Sequence, residues 1–160
     1  MERSLSNPSD RDAAFAALAA ELSPVPPAEA TVRPAIRTND LLMLSGQVAF
    51  VGSELLAVGR LGDDIDIATG QACARQCAIN LLGRIQEELG SLDDVAQVVK
   101  LTVFVASAPG FRDQSVVANG ASGMFREILG DAGTHARSAV GVAELPLGTP
   151  VEVEAIIAVR

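Results

Sequence analysis

Val151-Glu152-Val153-Glu154-Ala155-Ile156-Ile157-Ala158-Val159 alternates from residue to residue, and that alternation decides the fold class. Side chains on a strand point to opposite faces in turn, so Val151, Val153, Ala155, Ile157 and Val159 form one apolar face. The other face carries Glu152, Glu154, Ile156 and Ala158. A strand with one wholly apolar face needs helices packed on it, and the chain supplies two. Ala68–Leu89 repeats apolar residues at Ala74, Ala78, Leu81, Ile85 and Leu89, with Gly90 placed to end the helix. Arg112–Leu129 repeats them at Val117, Ala121, Met124 and Ile128, and Gly130 follows. Asn119-Gly120 could mark a hairpin turn, but helical periodicity runs straight through it. The helix reading is kept.

Working outward, Val95–Val105 reads as a strand that Pro109-Gly110 breaks, with Val98 and Phe104 set against Val99, Leu101 and Val103. Val32–Arg37 and Leu41–Gln47 flank the turn formers Thr38-Asn39-Asp40 and read as a hairpin. The Gly-punctuated stretch up to Gly62 has room for one more short strand, and Ser138–Val142 supplies another. The order β-β-(β)-α-β-α-β-β is that of an α/β fold with two helices on one sheet face. Both faces of Val95–Val105 read as apolar, so the second face is expected to be buried by another copy of the chain. Ahead of this, Phe15, Leu18 and Leu22 make the stripe of a short helix that Asp10 or Asp12 can cap. Residues 1–8 read as frayed, and Ser23–Thr31, with Pro24, Pro26 and Pro27, as a linker. The expected organisation is an N-terminal helix and Pro-rich linker over 1–31 and one domain over 32–160.

Composition narrows the function. The 160 residues suit a single domain, and a net charge of −8 with scattered arginines counts against nucleic acid as a partner. The chain has no Trp and no Tyr on which bases could stack. No apolar run reaches the roughly 18–20 residues of a membrane span. Ala13–Ala20 lacks the positive flank of a signal peptide, so no membrane association and a cytoplasmic setting are expected. Cys73 and Cys77 stand four apart in a helical pattern and read as reduced core thiols.

Most motifs for chemistry fail. Asp64-x-Asp66 opens like a calcium loop, but Ala68 and Arg75 fall where oxygen ligands belong. Nothing of zinc spacing accompanies Cys73, Cys77 and His135, so no metal is expected. No phosphate loop or dinucleotide fingerprint is present, and no cofactor is expected. His135, the single histidine, reads as a loop residue ahead of a strand. Ser122, in Gly120-Ala121-Ser122-Gly123, lacks the spacing of a nucleophile elbow. Lys100 shares a strand face with Thr102 and reads as a solvated or interface lysine. Arg137, Asn119, Glu152 and Ser45-Gly46-Gln47 remain. A guanidinium fork suits a carboxylate ligand, and a nearby carboxylate can orient a water. The same two residues equally suit an Arg–Glu cross-strand pair of structural value.

Ser45-Gly46-Gln47 follows an apolar strand, and Gly90-Ser91-Leu92-Asp93-Asp94-Val95 leads into another. Asn119, then Ala136-Arg137-Ser138-Ala139-Val140-Gly141-Val142, Leu145-Pro146 and Val151-Glu152-Val153-Glu154-Ala155 complete an ordered set. In that order and spacing they resemble the Rid (reactive intermediate deaminase, YjgF-like) family over residues 32–160. The N-terminal helix and Asn119-Gly120-Ala121-Ser122 resemble its longer branch. The resemblance implies a chorismate-mutase-like (YjgF-like) mixed β-sheet with two helices packed on one face, and a homotrimer with ligand clefts between subunits. It also implies cofactor-free hydrolysis of 2-imino acids and their enamines to 2-keto acids and ammonia. The small-molecule partner would be a carboxylate-bearing imine or keto acid. By the same resemblance Arg137 clamps the substrate carboxylate, Glu152 helps to position water, and Ser45, Gly46 and Asn119 line or support the cleft. The chain departs from the family at three places. It has no tyrosine where a Gly-x-Tyr is usual (Val32–Arg37 here), Ala139 where a cysteine is common, and Val48-Ala49 in place of a proline. A non-catalytic trimer that binds a small carboxylate is therefore the alternative. Endoribonuclease activity is a third reading, against which the charge and the missing stacking residues count.

Overall fold

The computed structural model describes residues 8–23 and 31–160. Of the stretches read as frayed and as linker, residues 1–7 and 24–30 lie outside the described residues. The elements run α1 (Pro8–Ala16), β1 (Ala35–Thr38), β2 (Leu41–Val48), β3 (Phe50–Val51), β4 (Glu54–Leu55), α2 (Ile67–Leu89), β5 (Val95–Ala106), α3 (Gln114–Leu129), β6 (Ala136–Val142) and β7 (Val151–Val159). β3 and β4 form a small separate hairpin. The main sheet has the order β1-β2-β7-β5-β6, antiparallel except for the parallel β5–β6 pair. It is a YjgF-like mixed sheet with α2 and α3 on one face, as expected.

The core lies between that face and the helices. Leu42, Val98, Leu101, Val103, Val153 and Ile157 from the sheet are fully buried with Leu81, Leu82, Ile85 and Phe125 from the helices. Asp66 starts α2 by accepting from the Thr69 N–H at 2.7 Å, so the acidic pair at Asp64-x-Asp66 includes a helix cap. Gly90 ends the helix at φ +88°. Asn119-Gly120 lies within α3, and the glycine is what lets the two helices nearly touch there: a Cβ on Gly120 would lie 2.0 Å from the Gln71 carbonyl oxygen. Cys73 and Cys77 are buried free thiols in this core, and burial pushes Cys73 up to about 11. Among the described residues no helix is long and apolar enough to cross a membrane.

Two expectations are corrected. The register of β5 against β7 shifts between Val95 and Gln97 and again between Val98 and Lys100. Val98 therefore joins Leu101 and Val103 on the helix side, while Val99 is left 39% exposed. The open face then carries Lys100, Thr102 and Phe104 beside Met43, Glu152, Glu154 and Ile156, which is mixed, not apolar. Lys100 Nζ donates to Ser138 Oγ across that face at 2.8 Å. The second correction concerns Asp12, which lies within α1 and caps a different segment. Its carboxylate accepts from the Leu92 N–H at 3.0 Å and from Gln86 Nε2 at 2.8 Å, docking α1 on the turn before β5. Asp10 lies within α1 as well, and the stripe outruns the helix: Phe15 is buried, but α1 ends at Ala16, so Leu18 and Leu22 pack partly buried against the core from beyond it.

Candidate functional site

Arg137 stands second in the edge strand β6, opposite Leu101, so its side chain leaves the sheet on the helix side. Nη1 donates to Asn119 Oδ1 and to Ser122 Oγ, both at 3.0 Å, and Nη2 to the Ser115 carbonyl at 3.1 Å. Residues 115, 119 and 122 share one side of α3, spaced by helical turns. All three partners are neutral, and among the described residues no carboxylate pairs with the guanidinium. Its charge is held in place yet not cancelled. The Nε–H and the second Nη2–H make no bond among the described residues, and two donors are what a bidentate carboxylate takes.

Glu152 sits opposite Val48 and Phe104 and projects from the open face. The neighbouring strand is bulged: Leu44 pairs with Ala155 but Gln47 with Val153, so Ser45-Gly46 absorbs an extra residue. Ser45 is pinned twice, through Oγ to the Arg33 carbonyl at 2.7 Å and through its N–H to the Pro34 carbonyl at 2.9 Å. Gly46 lies directly under the carboxylate, where a Cβ would come within 2.1 Å of Glu152 Oε1. Burial, and then repulsion from Glu154, raises the Glu152 pKa above that of an ordinary glutamate. No cation pairs with it among the described residues.

The sequence candidates thus form two groups. Arg137 and Asn119 meet on the helix side, while Ser45, Gly46 and Glu152 meet on the open face. They do not converge within one chain. Glu152 was expected on the strand next to Arg137, but β5 lies between β6 and β7, and no Arg–Glu cross-strand pair forms. The reason is topological: β6 follows β5 through α3 as a parallel crossover, which sets it beside β5 at the sheet edge. A hollow of ≈ 220 Å³ on the open face is lined by Met43, Lys100, Thr102, Glu154 and Ile156, but by neither Arg137 nor Glu152.

His135 lies in the loop before β6, as read, but it is no simple surface residue. Nε2 is 2.9 Å from Ser122 Oγ, Nδ1 is 2.7 Å from the Gly133 carbonyl, and the ring meets Phe125 edge-on with centroids 6.5 Å apart. Sequence reasoning set Ser122 and His135 aside one by one. The available signal was that Ser122 follows Asn119 by three residues on a helix, on the face turned to Arg137.

Fold and site define a class first: a YjgF-like mixed sheet with an anion-ready arginine on its edge strand and a desolvated glutamate over a bulge. The sequence model of the family described as endoribonuclease L-PSP matches residues 23–159, and the chain belongs to that family, the YjgF/Rid family. Protein TCP17 of Trypanosoma cruzi is 47% identical over 117 residues, covering 72% of this chain and 73% of that protein. The crystal structure of Atu1372 from Agrobacterium tumefaciens superposes with a TM-score of 0.86 at 36% identity, over 95% of this chain and 94% of that one. Escherichia coli TdcF, solved with bound serine, is more distant, with a TM-score of 0.57 and 26% identity over 84% of this chain and 92% of its own.

Proposed function

We propose that the protein hydrolyses reactive 2-imino acids and their enamine tautomers to 2-keto acids and ammonia, without a cofactor, in clefts between the subunits of a cytoplasmic homotrimer. The observation that carries this reading is the division of the site. Among the described residues, Arg137 has two unused N–H groups on the helix side of an edge strand, and Glu152 has no partner on the open face. Groups that cannot meet within one chain can meet when β6 of one copy lies beside the open face of the next, and a closed ring repeats that contact. The open face suits such burial, since Met43, Phe104 and Ile156 are interleaved with Lys100, Thr102 and Glu154.

Arg137 would bind the substrate carboxylate and place C2 against a water held by Glu152 of the partner subunit. Water oxygen adds to the imine carbon, and the proton it loses passes to the carboxylate. That proton passes on to nitrogen, and a second one, from the new hydroxyl, follows by way of the carboxylate; the C–N bond breaks, ammonia departs and the C2 oxygen remains as the keto group. A carboxyl whose pKa burial has raised is suited to take up and return that proton. Imines hydrolyse unaided in water, so the protein need lower the barrier by only a few kcal/mol, at ~1.4 kcal/mol per tenfold. The serine bound to TdcF carries a carboxylate and a C2 nitrogen, as these substrates do.

The missing tyrosine supports a second reading, a trimer that binds a small carboxylate without turning it over. One experiment separates the two. Ammonia release is followed from 2-iminobutyrate generated in situ, with wild type and Arg137→Ala, beside calorimetric binding of 2-ketobutyrate. Hydrolysis above the spontaneous rate that Arg137→Ala abolishes supports the deaminase. Arg137-dependent binding without turnover supports the second reading. Equal rates in both proteins overturn the assignment of Arg137.

A further inference from the structure

We propose that Ser122 is a base-activated nucleophile, with His135 as its base, acting on a carboxylic ester of a molecule that also bears a free carboxylate. The directions of the hydrogen bonds carry the proposal. Arg137 can only donate, so Ser122 Oγ accepts from it at 3.0 Å. A hydroxyl oxygen can accept twice, so the ring tautomer decides the next bond: the Gly133 carbonyl, 2.7 Å from Nδ1, can only accept, and Nδ1 therefore carries a ring proton. In the neutral imidazole Nε2 is then the acceptor, and the Ser122 hydroxyl proton points to it across 2.9 Å. That tautomer turns the lone pair of the imidazole toward a serine hydroxyl. Hydroxyl, imidazole and an orienting acceptor are the groups that activate a nucleophilic serine, here with a backbone carbonyl in the orienting place. A mid-helix serine ordinarily bonds back to the carbonyl four residues before it, whereas Ser122 is committed to His135 and Arg137.

The remaining parts are adjacent. Asn119 turns Oδ1 to Arg137, so its amide nitrogen faces away and makes no bond among the described residues. The guanidinium donates to Ser122 Oγ itself, so its positive charge lies next to the atom at which an acyl carbonyl would be attacked. Ser122 and His135 are half-buried and Asn119 is exposed, so the hydroxyl is reachable. The two unused N–H groups of Arg137 select a substrate with a free carboxylate. In the reaction Oγ bonds to the acyl carbon and its proton moves to Nε2. The ester C–O bond breaks, and the leaving alkoxide takes that proton as an alcohol. Water, giving a proton to Nε2, then attacks the acyl-serine; the acid departs and the proton returns to Oγ. No co-reactant besides water is needed.

The test does not depend on imine hydrolysis. Full-length protein is incubated with a fluorophosphonate and analysed by intact mass and peptide mapping. Release of 4-nitrophenolate from mono-4-nitrophenyl succinate is followed in parallel. The expected result is one adduct, on Ser122, labelling slowed by at least about 100-fold in His135→Asn, and no succinate-ester turnover by Ser122→Ala. Arg137→Gln is expected to lose the preference for the succinate ester over 4-nitrophenyl acetate. Ser122→Cys keeps the test open if the alanine variant does not fold: its thiol should react with iodoacetamide at least about tenfold faster with His135 present than with His135→Asn. Labelling elsewhere or not at all in folded protein, or equal rates with and without the imidazole, overturns the proposal.

Discussion

Arg137 and Glu152 are charges of opposite sign that the fold treats in opposite ways. On the helix side, α3 supplies Asn119 Oδ1, Ser122 Oγ and the Ser115 carbonyl, so the guanidinium is oriented before any ligand arrives. On the open face the Glu152 carboxylate is desolvated over Gly46, with Glu154 on the same side and no cation bonded to it among the described residues. The chain completes the first environment by itself and leaves the second incomplete. A polar group left in that state is settled by protonation, by a ligand or by a neighbouring subunit. The contrast locates what a second copy would have to bring.

Subunit complementation tests this most severely. Arg137→Ala and Glu152→Gln are each expected to reduce ammonia release to the spontaneous rate. Refolded together in equal amounts, they should recover about one quarter of wild-type activity, because random mixing gives about one cleft in four both intact residues. No recovery from a mixture shown by mass to contain hybrid trimers would mean that the two residues do not share a cleft.

Gly46→Ala probes the glutamate half alone. The new methyl would sit 2.1 Å from Oε1, so the carboxylate must move while Arg137 is untouched. Turnover is expected to fall by about 10- to 100-fold, the scale of a misplaced reacting group, with 2-ketobutyrate affinity within about twofold of wild type. An equal loss in affinity would show that the bulge supports ligand binding and not the water.

How much of this was legible in the sequence follows the range of the interactions. Val151–Val159 has the bounds its alternation indicated, and Gly90 and Gly130 end the helices because their left-handed φ values suit glycine. The shift at Val98–Lys100 left no mark, since Val98 and Val99 are both good strand formers and a bulge there changes only which of them faces the helices. The order of β5, β6 and β7 depends on the crossover through α3, so the separation of Arg137 from Glu152 could not be read from strand parity. Ser122 and His135 are 13 residues apart and fit no motif; the turn through Gly133 brings them together.

Stability against pH divides the molecule in the same way, with smaller effects. The Glu152 pKa is raised in the folded protein, so the folded state holds its proton to higher pH than the unfolded one. Stability is then greatest below the unfolded value and falls as pH rises through the raised one. Burial opposes ionisation of Asp12 as well, but its bonds from Leu92, Ser91 and Gln86 outweigh that and lower its pKa. Its contribution is present above the unfolded value and is lost as pH falls. Thermal melts should show Glu152→Gln above wild type at pH 7 with the gap closing toward pH 4. Asp12→Asn should be less stable than wild type at pH 7, with the gap closing toward pH 3. A Glu152→Gln melt that follows wild type across this range would show that the carboxylate is already compensated, by a partner subunit, in the assembled protein.

Asn119→Ala should have the smallest effect, and it asks whether orientation or charge carries the arginine's role. The variant removes one of three acceptors and leaves Ser122 Oγ and the Ser115 carbonyl in place. A single hydrogen bond to a charged group contributes about 1.5–3 kcal/mol, but only the part lost through a looser guanidinium reaches the ligand. The expected outcome is 2-ketobutyrate binding weakened by about fivefold, against loss of detectable binding in Arg137→Ala. If Asn119→Ala binds as poorly as Arg137→Ala, the guanidinium's charge is insufficient by itself, and the α3 cradle is what turns an edge-strand arginine into a carboxylate site.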